Sequence, residues 1–92
     1  MFMRHAALTK NMGPNRLTAL VEKAMRDSGV RVIAGEDHWR LGESGGALVL
    51  CQVQGIDDHR SHVVTVAASV EERAAGVAQT VSSAIEQSVP ID

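Results

Sequence analysis

The densest group of chemistry-bearing side chains lies at residues 57–62, which hold two Asp, two His, one Arg and one Ser. Carboxylates and imidazoles are common metal ligands and proton carriers, so Asp58, His59 and His62 are the candidate metal ligands. On a strand, side chains three positions apart point to opposite faces, so His59 and His62 converge only if the chain turns between them. Because Asp also favours reversals, the alternative is a solvated hairpin turn.

A second candidate ligand site is the alternating triple Glu36, His38 and Arg40. On a continuous strand these side chains would share one face, opposite Trp39. An imidazole beside a guanidinium could bind an anion, with the carboxylate orienting the imidazole. The alternative is an exposed strand face with ordinary charge pairing, and we interpret Trp39 as a core residue.

The remaining reactive groups carry weaker signals. Cys51 is the single cysteine, which excludes an internal disulfide, and we interpret it as a buried, unreactive thiol. The glycines at 42, 45 and 46 do not form a phosphate-binding loop, because no helix is predicted directly after them. The sequence predicts no cofactor and no catalytic residue, and it disfavours an enzyme.

The composition is that of one small globular domain covering residues 1–92. Its hydrophobic fraction of 45% and charged fraction of 22% are near globular averages. The chain has one Phe, one Trp and no Tyr, so its core consists of small side chains that each bury little area. A chain with such a core would gain stability from a partner subunit.

Charge and hydropathy disfavour two classes of partner. The formal net charge of −2 offers no field that attracts nucleic acid, and no nucleic-acid-binding motif is present. No apolar run is long enough for a membrane span, and charged residues interrupt the first ten positions where a signal peptide would be apolar. With a single cysteine, these features predict a cytoplasmic protein.

Two helices are predicted. Pro14 is suited to a first helical position, an apolar stripe follows it, and the first helix should end at Ser28 with Gly29 in a left-handed cap. The second should run over 70–88, after a capping box that begins at Ser69. Pro90 marks its stop.

Between the helices, the apolar period falls to two, which indicates strands. We expect one strand over 30–41, with a β-bulge near Gly35 that corrects a change of parity; a tight turn starting at Gly35 is the alternative. Further strands should cover 47–53 and 62–68. Residues 1–12 are either an additional edge strand or flexible.

Together these elements predict an α+β domain, a three- or four-stranded antiparallel meander with two helices packed on one face. Leu48, Leu50 and Val63 should share one face, and the other face of 47–53 is apolar as well. A second subunit should therefore cover the open face, with the N-terminal segment as the competing cover. The sequence thus favours a non-catalytic homodimeric interaction module. The alternative is a small-molecule or metal-binding protein that uses both polar clusters.

Overall fold

The chain forms an α+β structure in which a five-stranded antiparallel sheet carries its helices on one side. The computed structural model describes residues 1–88. This confirms the predicted class, with more strands than the three or four expected. In chain order the elements are β1 (Phe2–Lys10), α1 (Pro14–Asp27), β2 (Arg31–Glu36), β3 (Trp39–Ser44), β4 (Ala47–Asp57), β5 (Arg60–Ser69), α2 (Glu72–Ala75) and α3 (Val77–Gln87).

The strands lie in the order β1-β5-β4-β3-β2, so consecutive hairpins link β2 through β5. The N-terminal segment is an edge strand, and β1 pairs with β5 from Phe2 opposite Ser69 to Lys10 opposite Ser61. It therefore extends the sheet sideways and does not cover the open face. Of the two roles considered for this segment, the edge strand is the one it adopts.

The region expected to be one bulged strand is two strands, β2 and β3. A turn at Asp37 and His38 separates them, and Asp37 has a left-handed φ of 47°. Glu36 then pairs with Trp39, and the register irregularity lies earlier, between Val32 and Ala34. The expectation of a bulge near Gly35 was wrong, because a reversal two residues later produces the same change of parity.

The bounds of α1 agree with the sequence-based prediction. Pro14 is the first helical residue, Ser28 is the C-cap, and Gly29 follows with a φ of 80°. A side chain at Gly29 would be strained in this left-handed conformation, so glycine ends the helix without cost.

The second helix begins later than predicted and is interrupted. The Ser69 hydroxyl accepts a hydrogen bond from the Glu71 amide at 2.9 Å, so Glu71 becomes the N-cap of α2. The four-residue α2 ends at Ala75 with Gly76 as its C-cap, and α3 starts directly afterwards. The predicted stop at Pro90 lies outside the described residues.

The hydrophobic core lies between the helices and one face of the sheet, which we call the covered face. Alternate residues of β4 and β5 are buried there, and Val63 lies opposite Val53. Val63 therefore does not share a face with Leu48 and Leu50 as expected, because the register between the strands sets this choice. The largest fully buried side chains are Leu17, Val21, Met25, Val49, Val63, Val81 and Ile85.

Lys10 and Arg40 link α3 and α1 to the sheet. Lys10, at the end of β1, donates to the carbonyls of Glu86 and Ser88 at 2.9 and 2.8 Å, where α3 ends. Arg40 on β3 donates to Glu22 of α1, with Nε 3.0 Å from Oε1. Within residues 1–88, none of the helices has the length and apolar character required to cross a membrane.

Candidate interaction surface

The predicted metal cluster lies at and beside the β4–β5 turn. Asp58 and His59 occupy the turn itself. Asp57 stabilises it, because its carboxylate accepts the His59 amide at 2.8 Å and Arg60 Nε at 3.2 Å. Both hydrogen bonds lower the pKa of Asp57, and the bond from the His59 amide has the larger effect. The geometry is that of the hairpin turn considered as the alternative.

His62 lies apart from that turn, on the face of the sheet away from the helices. Its Nδ1 is 3.3 Å from the Thr9 hydroxyl on β1. Over the described range 1–88, no group of three or more His, Cys, Asp or Glu side chains could hold a metal ion. The hypothesis that Asp58, His59 and His62 bind a metal gains no support from this geometry.

The turn between β2 and β3 also separates the second predicted cluster. Glu36 is paired with Trp39, whereas Arg40 is paired with Gly35 and points to the covered face, where it binds Glu22. His38 lies in the turn, with Nε2 2.8 Å from the Asn15 side-chain oxygen. The three residues do not share a face, so the anion-binding arrangement that a continuous strand would create is absent among them.

A shallow groove brings parts of the two clusters near each other. It lies between residues 11–16 and the β4–β5 turn, and Asp58 and His59 line it. His38 approaches through its hydrogen bond to Asn15, another lining residue. Arg40 and His62 do not line this groove, which leaves the predicted clusters only partly joined.

Cys51 is buried on the covered face, and its Sγ lies 3.5 Å from the Thr65 hydroxyl. Burial raises the pKa of this thiol, and the hydrogen bond with Thr65 opposes that shift in part. A neutral buried thiol is a poor nucleophile. The structure therefore agrees with the interpretation of Cys51 as an unreactive core residue.

The largest unexplained feature is the other face of the sheet, which we call the open face. Leu48 and Leu50 of β4 point outward there and are 53% and 38% exposed. Trp39, expected in the core, pairs with Gln52 and is half-buried on this face. None of the described helices covers these residues, so a contiguous apolar surface is left to solvent.

Because directly paired residues share a face, the strand register arranges the open face in four rows across the sheet, each named after its β1 residue. The Met3 row contains Met3, Ala68, Leu48, Glu43 and Arg31. The His5 row contains His5, Val66, Leu50, Leu41 and Ala34. The Ala7 row contains Ala7, Val64, Gln52, Trp39 and Glu36. The Thr9 row contains Thr9, His62 and Gln54.

This map gives an apolar centre with polar residues at the Thr9 end and at the two corners on the β2 side. The His5 row has four apolar members, and the Thr9 row at one end has only polar ones. On the β2 side, Arg31 and Glu43 form an exposed ion pair of 3.4 Å, and Glu36 lies at the next corner. An apolar centre with a polar rim is the usual composition of a protein interface. Sequence reasoning missed the contributions of β1 and β3, which only the strand register reveals.

Comparison of the chain with protein-family models, with curated proteins and with solved structures gave no match.

Proposed function

We propose that this protein is a non-catalytic, homodimeric interaction module in which the open face packs against the open face of a second copy. The observation that supports it is the apolar sheet face centred on Leu50 and Val66, which no described segment covers. The competing cover, the N-terminal segment, is occupied as edge strand β1. The proposed location is the cytoplasm, where a free thiol such as Cys51 persists.

The dimensions of the open face suit a dimer. Five strands spaced about 4.8 Å apart span about 19 Å, and the strands, which have between 6 and 11 residues, are on average about 28 Å long. Each copy would therefore contribute an area of roughly 530 Å². The two faces together reach about the 1,000 Å² that a specific interface requires.

The energetics of the core favour the same arrangement. On β4 the covered face uses small residues such as Ala47 and Val49, whereas the open face has Leu48 and Leu50. Complete burial of a Leu side chain contributes about 1.5–3 kcal/mol. A dimer would recover part of that free energy from each half-exposed leucine, which the monomer leaves unused.

Sedimentation equilibrium at micromolar concentration tests this function. We expect wild type to be a dimer and Leu50→Glu to be a folded monomer, because the substitution buries a charge in the interface centre. Ala19→Glu, with the same new charge on the exposed side of α1, is the control and should remain a dimer. Circular dichroism checks the fold of both variants. A monomeric wild type, or a Leu50→Glu dimer of wild-type affinity, would contradict the proposal.

A further inference from the structure

The positions of the charged residues on the open face indicate how two copies would be oriented, an inference that rests on the proposed function. Two identical sheets packed face to face are related by a two-fold axis in the plane between them. With strands aligned, this axis runs either along the central strand β4 or across the strands. The two axes place different residues of the two copies opposite each other.

An axis along β4 keeps each row opposite itself and exchanges the two edges of the sheet. Arg31 would then face the partner's Met3, and Glu36 would face the partner's Ala7. Glu36 would then be desolvated against an apolar side chain without an opposite charge, and Arg31 would gain no charged partner beyond Glu43 of its own chain. Such burial is unfavourable.

An axis across the strands, along the His5 row, places every strand over its own copy and exchanges the Met3 row with the Ala7 row. Arg31 then faces the partner's Glu36, and the symmetry repeats this ion pair at the other end. Glu43 faces the partner's Trp39, whose indole N–H can donate to a carboxylate. The apolar residues Leu50 and Val66 each face their own copies on the axis.

We propose that the dimer uses this transverse axis, with reciprocal ion pairs between Arg31 of each copy and the partner's Glu36. Charge complementarity selects the orientation, because it fixes register more strongly than apolar contact does. The Thr9 row then lies beyond the partner's Met3 row, so Thr9, His62 and Gln54 stay at the solvated rim.

Cross-linking separates the two axes. With His5→Cys in a Cys51→Ala background, the transverse axis brings the two new thiols together, whereas the axis along β4 holds them about 19 Å apart, four strand spacings. With Gln54→Cys the distances reverse: the thiols meet across an axis along β4 but are about 27 Å apart across the transverse one. A short bis-maleimide should therefore link His5→Cys dimers and leave Gln54→Cys dimers unlinked.

A charge-reversal cycle supplies an independent test. Arg31→Glu and Glu36→Arg should each weaken dimerisation by about tenfold, and the double variant should recover most of that loss. The recovery cannot come from an ion pair within one chain, because residues 31 and 36 lie two rows apart, about 13 Å along β2. Sedimentation equilibrium provides the dissociation constants.

The outcomes distinguish this inference from the proposed function. Cross-linking of Gln54→Cys but not His5→Cys, or absence of rescue in the double variant, would overturn the transverse axis and leave the dimer standing. A monomeric wild type would overturn both. Cross-linking at His5→Cys together with rescue would support the transverse axis.

Discussion

The two faces of β4 are both apolar, but they are built differently. The covered face carries Val49 and Cys51, both fully buried, whereas the open face carries the larger Leu48 and Leu50. Small residues let the helices approach the sheet closely, as at Gly42, where an added Cβ would lie 3.0 Å from the terminal methyl carbon of Met25 on α1. Apolar content alone therefore does not indicate which face the helices cover. The larger side chains are the ones left on the open face.

The sharpest contrast between the faces should be in thiol reactivity. Cys51 is reached only when the chain unfolds, and a domain stability of about 5 kcal/mol would slow its labelling by at least about a thousandfold relative to a free thiol. The raised pKa of the buried thiol acts in the same direction. Labelling with a chromogenic disulfide reagent measures this rate.

The matched variant is Leu48→Cys in a Cys51→Ala background, which moves the thiol to the open face. Its labelling should be nearly as fast as that of a free thiol in dilute solution and should slow as protein concentration rises and the dimer forms. Equal labelling rates for Cys51 and this variant at low concentration would break the distinction between the faces.

Replacement of a leucine by alanine should lower the free energy of unfolding by different amounts on the two faces. Leu17 on α1 is fully buried against the covered face, so Leu17→Ala should lower the free energy of unfolding by about 2–5 kcal/mol. Leu48→Ala should cost less than about 1 kcal/mol in the monomer, because Leu48 is 53% exposed. Urea denaturation at low protein concentration measures both, and similar losses would contradict the assignment of the faces.

The ion pairs of the two faces should also differ. The Arg40–Glu22 pair lies under α1, with side chains 22% and 32% exposed, so Arg40→Ala should cost about 1 kcal/mol of stability. Arg31 pairs with Glu43 on the open face with 72% exposure, and Arg31→Ala should leave monomer stability unchanged. Chemical denaturation of dilute samples compares the two. Equal losses of stability from Arg40→Ala and Arg31→Ala would contradict the expected effect of burial on the two ion pairs.

The smallest effect should be a loss of stability in alkali. Because burial raises the pKa of Cys51, the unfolded thiol ionises first, near its ordinary value of 9.0. The contribution of Cys51 is therefore complete below that pH and is lost as pH rises through the folded-state pKa, by no more than about 1.4 kcal/mol per pH unit. Comparison with Cys51→Ala isolates it; identical pH profiles would contradict the predicted burial effect.

Local sequence signals were sufficient to predict α1 but not to predict the N-terminal strand β1. Pro14 and Gly29 mark the ends of α1, since the requirements of a first helical turn and a left-handed cap are local. The N-terminal strand was ambiguous because Arg4 breaks its alternation. In the structure Arg4 lies on the covered side of the sheet edge and reaches Glu72 at 3.4 Å, so the charge that obscured the strand remains solvated.

The sequence predicted that an apolar open face exists, but not which residues lie on it. Two-sided apolar character in β4 predicted an open face, whereas the placement of Val63 and Trp39 required the pairing of strands distant in sequence. The shared face predicted for Glu36, His38 and Arg40 required a continuous strand, and a turn at Asp37 sends Glu36 and Arg40 to opposite faces. Spacing along a chain predicts a shared face only where the strand continues.

The contact of Lys10 with the end of α3 has a consequence for how this chain tolerates insertions and deletions. In a strand, a shift of one residue turns every side chain to the opposite face, whereas a shift of two residues keeps each side chain on its own face. The ammonium group of Lys10, held by the carbonyls of Glu86 and Ser88, fixes the register of β1. Loss of one residue within β1 would send Met3 and His5 to the helices, whereas loss of two would shorten the strand and preserve its pattern.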